Sequence, residues 1–172
     1  MCPTVLHAPR DVWIEDRPTT AGQQPTDAVI RTAATCACGS DLWPSRGAGP
    51  TDAAHPMDHE YVGIVEEVGS EMTAGKPGQF VVGSLAASDE TCANCRNGFQ
   101  PSCLNHWSLS ICQADYVHNP HAQGTLVATH RVPDERFWPG LLAVSDVTGP
   151  AGGRRPAADK PGTTALVVGD GV

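Results

Sequence analysis

The residues with the clearest chemical potential are Cys92-x2-Cys95-x7-Cys103, with Gly98 in the intervening loop. Zinc takes four tetrahedral ligands, and thiolates are its best donors in sites that hold structure. A C-x-x-C pair sets two sulfurs on one turn, and a third cysteine beyond a glycine-bearing loop can return to the same point. Asp89 precedes Cys92 by the spacing that separates Cys92 from Cys95. Its carboxylate is therefore a candidate fourth ligand, since oxygen donors also bind zinc. The same spacing is compatible with a redox pair or with unbound thiols. A second set comprises Cys38-Gly-Ser-Asp41 and Asp58-His59-Glu60. A catalytic zinc needs three protein ligands and one open position, and Cys38 and His59 are candidates for two of them. Taken singly, a Cys or His of this kind is more often a packed side chain, so each signal by itself is weak.

Such side chains must be carried by short strands. Val12–Glu15, Ala28–Ala34, Tyr61–Val68, Phe80–Leu85 and Gly124–Thr129 read as strands, separated by Gly- and Pro-bearing turns such as Lys76-Pro-Gly-Gln79. One helix is expected near Glu135–Val144, after a Pro-Asp start. Many short strands with few helical periods indicate a mainly β fold with few helices, a barrel or sandwich. Residues 148–163 have linker composition, rich in Pro and Gly, and set a boundary after a first unit at 1–147. The final segment, 164–172, reads as a buried strand running into Gly169-x-Gly171, the opening of a dinucleotide-binding turn. We expect there the first strand of a nucleotide-binding domain that is begun and not completed.

The bulk properties narrow the function. Eighteen Gly and 15 Pro make up about a fifth of the 172 residues, which favours loops and strands over a helical bundle. A net charge of −8 offers no basic face to nucleic acid or to an anionic membrane. No apolar run approaches the roughly 18 residues of a membrane-spanning helix, and the first ten residues lack a signal peptide's apolar core. A cytoplasmic setting is therefore expected, in which seven cysteines serve as metal ligands or buried thiols rather than as a disulfide frame. Cys2, Cys36 and Cys112 have no partner at ligand spacing and read as plain thiols; His118, His121 and His130 read as exposed loop or strand residues. Trp43 is placed either to wall a pocket or simply to pack.

The stretches Cys38-Gly-Ser-Asp-Leu-Trp43, His55-Pro-x-x-His-Glu-Tyr-Val-Gly-Ile-Val-Glu-Glu-Val-Gly69, Lys76-Pro-Gly78 and Ser88–Cys103 recur in this order elsewhere, as do Leu141–Val147 and Val167–Gly171. Over essentially its whole length the chain resembles the zinc-dependent medium-chain alcohol dehydrogenases. That resemblance implies a GroES-like barrel followed by a Rossmann domain, of which only the first strand is present. It implies Cys38, His59 and Asp146 as catalytic zinc ligands, with Glu60 beside them and Ser40 binding the substrate oxygen and starting a proton relay. It implies Asp89, Cys92, Cys95 and Cys103 as the structural zinc set, Asp89 standing where the family has a cysteine. Zinc, NAD(P) once a Rossmann half is supplied, a small alcohol or aldehyde, and self-association into a homo-oligomer follow from it, with no nucleic-acid or membrane partner. Two departures stand out: Asp58 replaces a glycine before the ligand histidine, and Gln79 replaces an aspartate. The expected activity is that of a catalytic half, inactive by itself. The alternatives are a non-catalytic zinc-binding fragment or pseudoenzyme, and a thiol redox sensor using Cys92 and Cys95.

Overall fold

The computed structural model describes residues 1–146, apart from residues 23, 50–52, 74 and 110. The linker expected at 148–163 and the strand at 164–172 with Gly169 and Gly171 lie outside the described residues.

Strands β1 (Thr4–Ala8), β2 (Asp11–Ile14) and β4 (His55–Pro56) form one sheet in the order β2-β1-β4. The principal sheet is five-stranded. It uses β3 (Ala28–Cys36), β5 (Glu60–Val68), β6 (Phe80–Gly83), β9 (Tyr116–Asn119) and β10 (Leu126–Ala128) in the order β10-β6-β5-β3-β9. A two-stranded pair, β7 (Ala86–Ala87) with β8 (Trp107–Ser108), frames the base of the cysteine-rich loop. Helices α1 (Gly39–Ser45), α2 (Ala93–Arg96), α3 (Ala122–Thr125) and α4 (Trp138–Ser145) are short. No helix among the described residues is long and apolar enough to cross a membrane.

The five-stranded sheet has an apolar layer on each face because its strands alternate apolar residues in both registers. On β5, Tyr61 and Val65 enter one core with Ile30, Val81 and Val117, while Val62 and Ile64 enter the other with Phe80, Val82 and Leu142. Helix α4 covers that second face, with Trp138 set against Phe80 at a ring-centroid distance of 5.7 Å. The β3–β5 ladder is antiparallel and ends on the pair Cys36↔Glu60. Its register shifts between Thr32 and Ala34, where β3 carries one extra residue, Ala33. An added residue of this kind turns the rest of a strand over. Ala28 and Ile30 accordingly face the first core, whereas Ala34 and Cys36 face the second, beneath α4.

The expected strands at Val12–Glu15, Ala28–Ala34, Tyr61–Val68 and Phe80–Leu85 are present with small changes at their ends. Gly124–Thr129 is corrected: Gly124 and Thr125 close α3, and the strand is Leu126–Ala128. The first turn of the expected helix, Glu135–Phe137, is a 3-10 turn. Strands β1 and β9 and helix α1 were not expected. Strand β9 is polar in sequence yet inside the fold, because buried Asn119 donates its side-chain amide to the hydroxyl of buried Tyr61.

Gly63 sits in β5 where a Cβ would collide with the backbone carbonyl of Arg31 on β3. Arg31 is paired on both sides, with Ile64 of β5 and Tyr116 of β9, so making room requires β3 and β5 to part. Gly63→Ala should lower unfolding stability by about 1–3 kcal/mol, as overpacking does, measured by urea denaturation. An unchanged midpoint would show that the two strands can part at this point.

Candidate metal centres

Cys38 lies two residues past the Cys36↔Glu60 pair, and His59 lies one residue before it. The register of two neighbouring strands therefore brings both side chains to one end of the sheet. Cys38 caps the N-terminus of α1 in extended conformation (φ −79°, ψ 159°), and its N–H is taken by Asp41 Oδ2 at 2.8 Å. The third element is α4. Its C-terminal residue cap, Asp146, arrives over the same face, held there by Leu142 and Trp138 in the second core.

Three segments thus converge. His59 Nε2 is 3.0 Å from Asp146 Oδ2, and Cys38 Sγ is 3.6 Å from the same oxygen. One donor atom from each of Cys38, His59, Glu60 and Asp146 lies within 4.8 Å of the others. Tetrahedral zinc with bonds of about 2.0–2.3 Å separates its donors by about 3.3–3.8 Å. The thiol-to-carboxylate distance falls within that range, and the imidazole-to-carboxylate distance is a hydrogen bond that a shared ion would open slightly. Donor set and spacing both fit zinc. Glu60 is buried and its Oε1 has no hydrogen-bond partner, while Oε2 accepts from the Cys36 thiol. Ser40 is exposed on the first turn of α1, two residues from Cys38.

Two sequence readings are corrected here. Cys36 is not without a partner: burial, reinforced by the Glu60 carboxylate that accepts its hydrogen, pushes its thiol up to about 12. His118 is a half-buried strand residue whose Nε2 lies 2.8 Å from buried Asp27, rather than an exposed one. Trp43 is 66% exposed and packs little. Asp58 is buried with φ 71°. Burial pushes its carboxyl up to about 6, against the N–H groups of Glu60 and His59, which favour the charged form.

The second cluster is local. Cys92 caps α2, and its sulfur is 3.4 Å from that of Cys95 and 3.9 Å from that of Cys103. These separations bracket the tetrahedral thiolate edge of about 3.8 Å. Backbone N–H groups aim at the sulfurs: Leu104 and Cys95 at Cys92, and Asp89 and Asn105 at Cys103. The bond from Leu104, then that from Cys95, holds the Cys92 thiol below its ordinary pKa, while burial and then its hydrogen bonds to Cys92 and Cys103 push the Cys95 thiol up to about 12, so without an ion a proton is shared unevenly within the pair. Asp89 joins the set, with donor atoms of all four residues within 4.8 Å of one another. Asn105 donates to its Oδ2 at 2.5 Å, and this bond, with the N–H groups of Cys92 and Thr91, holds the carboxyl well below the usual carboxylate range.

Comparison with known proteins identifies the family and the fold. Residues 24–139 match the family described as alcohol dehydrogenase GroES-like domain. The chain is 33% identical over 150 residues to zinc-type alcohol dehydrogenase B of Aspergillus flavus, covering 83% of this chain and 34% of that protein. It is 33% identical over 149 residues to the medium chain reductase/dehydrogenase ucsI of an Acremonium species, covering 83% and 50% of the two chains. Among solved structures, alcohol dehydrogenase TADH from Thermus sp. ATN1 superposes with a TM-score of 0.77 at 25% identity, over 88% of this chain and 45% of that one. A zinc-dependent alcohol dehydrogenase 2 from Streptococcus pneumonia, in apo form, gives 0.74 at 29% identity, over 84% and 42%. The chain therefore spans a third to a half of the length of these relatives.

The thiols should differ in reactivity as their surroundings differ. Cys2 is exposed, whereas Cys112 is fully buried and burial raises its pKa well above normal. In protein stripped of metal, an aromatic disulfide reagent at mild alkaline pH should modify exposed Cys2 and the low-pKa Cys92 in the folded state and reach Cys112 only on unfolding. Mass spectrometry of partly modified protein would show the order, and early labelling of Cys112 would contradict its placement.

Proposed function

The chain belongs to the alcohol dehydrogenase GroES-like domain family, and from that premise we propose that it is the metal-holding half of a zinc- and NAD(P)-dependent oxidoreductase acting on a small alcohol or aldehyde. The observation that carries the proposal is the convergence of Cys38, His59, Glu60 and Asp146 from three separate elements within 4.8 Å. Neither sheet packing nor helix capping needs a thiol, an imidazole and two carboxylates at one point.

In this reading Cys38, His59 and Asp146 would hold the catalytic ion, with Glu60 beside them offering an oxygen that has no hydrogen-bond partner. Zinc bound there supplies Lewis acidity toward the substrate oxygen. Ser40, two residues from Cys38 and open to solvent, would accept the substrate's hydroxyl proton on its oxygen while giving its own proton to water. Asp89, Cys92, Cys95 and Cys103 hold a second zinc that fastens the loop between β7 and β8 and contributes to folding rather than to chemistry. Hydride exchange falls to a nicotinamide held by a nucleotide-binding half, where Gly169 and Gly171 would open the pyrophosphate turn. All seven cysteines are free, so the reading calls for a reducing compartment such as the cytoplasm.

Protein prepared without chelator should carry two zinc ions per chain by elemental analysis. Cys95→Ser should remove one and lower the melting temperature, and Cys38→Ser should remove the other with a smaller effect on melting. Folded wild-type protein free of metal would refute the proposal.

Near-attack positioning of donor and acceptor carbons is worth about 7–11 kcal/mol in favourable cases. In this reading the orientation of a nicotinamide falls to the nucleotide-binding half. The 172 residues assayed by themselves with NAD or NADP and simple alcohols should therefore show background turnover, and fusion to a complete nucleotide-binding half should raise it. Robust turnover by these residues alone would place the cofactor in this half.

A further inference from the structure

Asp58 occupies a backbone conformation that ordinarily favours glycine, at φ 71°. It is 2% exposed, so the conformation is not a relaxed loop that happens to turn. What accompanies it is a set of bonds, two of which, those to its carboxylate, no glycine could make. Oδ1 accepts from the N–H of His59 at 2.6 Å and from the N–H of Glu60 at 2.9 Å. The N–H of Asp58 donates to Asp41 Oδ1 at 3.2 Å, while Asp41 Oδ2 takes the N–H of Cys38 at 2.8 Å. Its carbonyl accepts from the N–H of Cys112 at 3.1 Å. The backbones that carry Cys38, His59 and Glu60 are thereby tied together through two carboxylates.

We propose that Asp58 is a positioning residue: its side chain fixes the peptide units of His59 and Glu60 and so sets the donor geometry and metal affinity of the Cys38, His59, Glu60 and Asp146 cluster. The inference rests on the metal reading of that cluster given above. It follows from a simple asymmetry. Glycine at this position satisfies the backbone angle but leaves two N–H groups beside the cluster without their acceptor. Aspartate accepts a strained angle and restrains both. Partners of this kind behind metal ligands commonly govern 10–100-fold in affinity.

The test uses the full chain, stripped of metal and titrated with cobalt(II) against a competing chelator. The Cys38-dependent site is defined as the absorption lost in Cys38→Ser. Asp58→Gly, which suits the backbone angle and should fold, is expected to weaken that site by about 10–100-fold and to shift its ligand-field bands. Bands of the Cys92, Cys95 and Cys103 cluster should stay unchanged. Asp58→Asn, which keeps an acceptor at Oδ1, is expected to restore both affinity and bands. Wild-type affinity and bands in Asp58→Gly would overturn the inference while leaving the metal reading intact. Asp58→Asn behaving like Asp58→Gly would also overturn it, since the Oδ1 acceptor would then not be the operative feature. A wild-type cobalt spectrum indifferent to Cys38→Ser would defeat the metal reading, and the inference with it.

Discussion

The pairing of Cys36 with Glu60 at the end of the β3–β5 ladder is the constraint on which the rest of the site depends. It fixes where β3 stops and β5 begins, and hence where Cys38 and His59 stand relative to each other. The extra residue in β3 turns its end toward the face that α4 covers, and that face is where Asp146 arrives. If β3 and β5 slid by one position, Glu60 would point into the opposite core and the donors would separate. The apolar contacts of Val62, Phe80, Val82 and Leu142 enforce the register, so the packing of one face of a sheet decides the geometry of a polar cluster at its end.

The cysteine cluster answers to different forces. Its ligands lie within a loop framed by β7 and β8, and the bonds that orient the sulfurs are backbone N–H groups of the same loop. Phe99, Leu104 and Trp107 around it are exposed, so it has little apolar core of its own. A small lobe without a core needs a cross-link or an ion to hold its shape. Asp89, with its carboxylate organised by Asn105 and two N–H groups, stands within 4.8 Å of the three sulfurs.

The sequence made legible what depends on local spacing. The Cys92, Cys95, Cys103 period, the β-branched run of β5 and the aliphatic turn before Asp146 can all be read from neighbours a few residues apart. What escaped is held by partners far away in the chain. Strand β9 reads as polar because Asn119 is judged by its hydropathy, while its burial is explained by Tyr61, 58 residues distant. His118 and Cys36 read as idle because their partners, Asp27 and Glu60, are 91 and 24 residues away. Asp58 looked like a defect beside the glycine it replaces. Its conformation does need a positive φ, but the side chain compensates with bonds that only the folded chain reveals.

The two clusters also differ in when they can come into being. Cys92 and Cys103 are 11 residues apart, whereas Cys38 and Asp146 are separated by 108. Loop closure at the larger separation carries an entropic penalty greater by about 2 kcal/mol. The second cluster further requires that both faces of the sheet already be in place. During synthesis the cysteine lobe is complete once residue 108 has emerged, and its four donor side chains are present before α4 exists. Cys38 and His59 must wait for the last helix of the described chain. The order of assembly is therefore written into the spacing: the donor side chains of the lobe can meet early, and those beside Ser40 only after the sheet and its covering helix have closed.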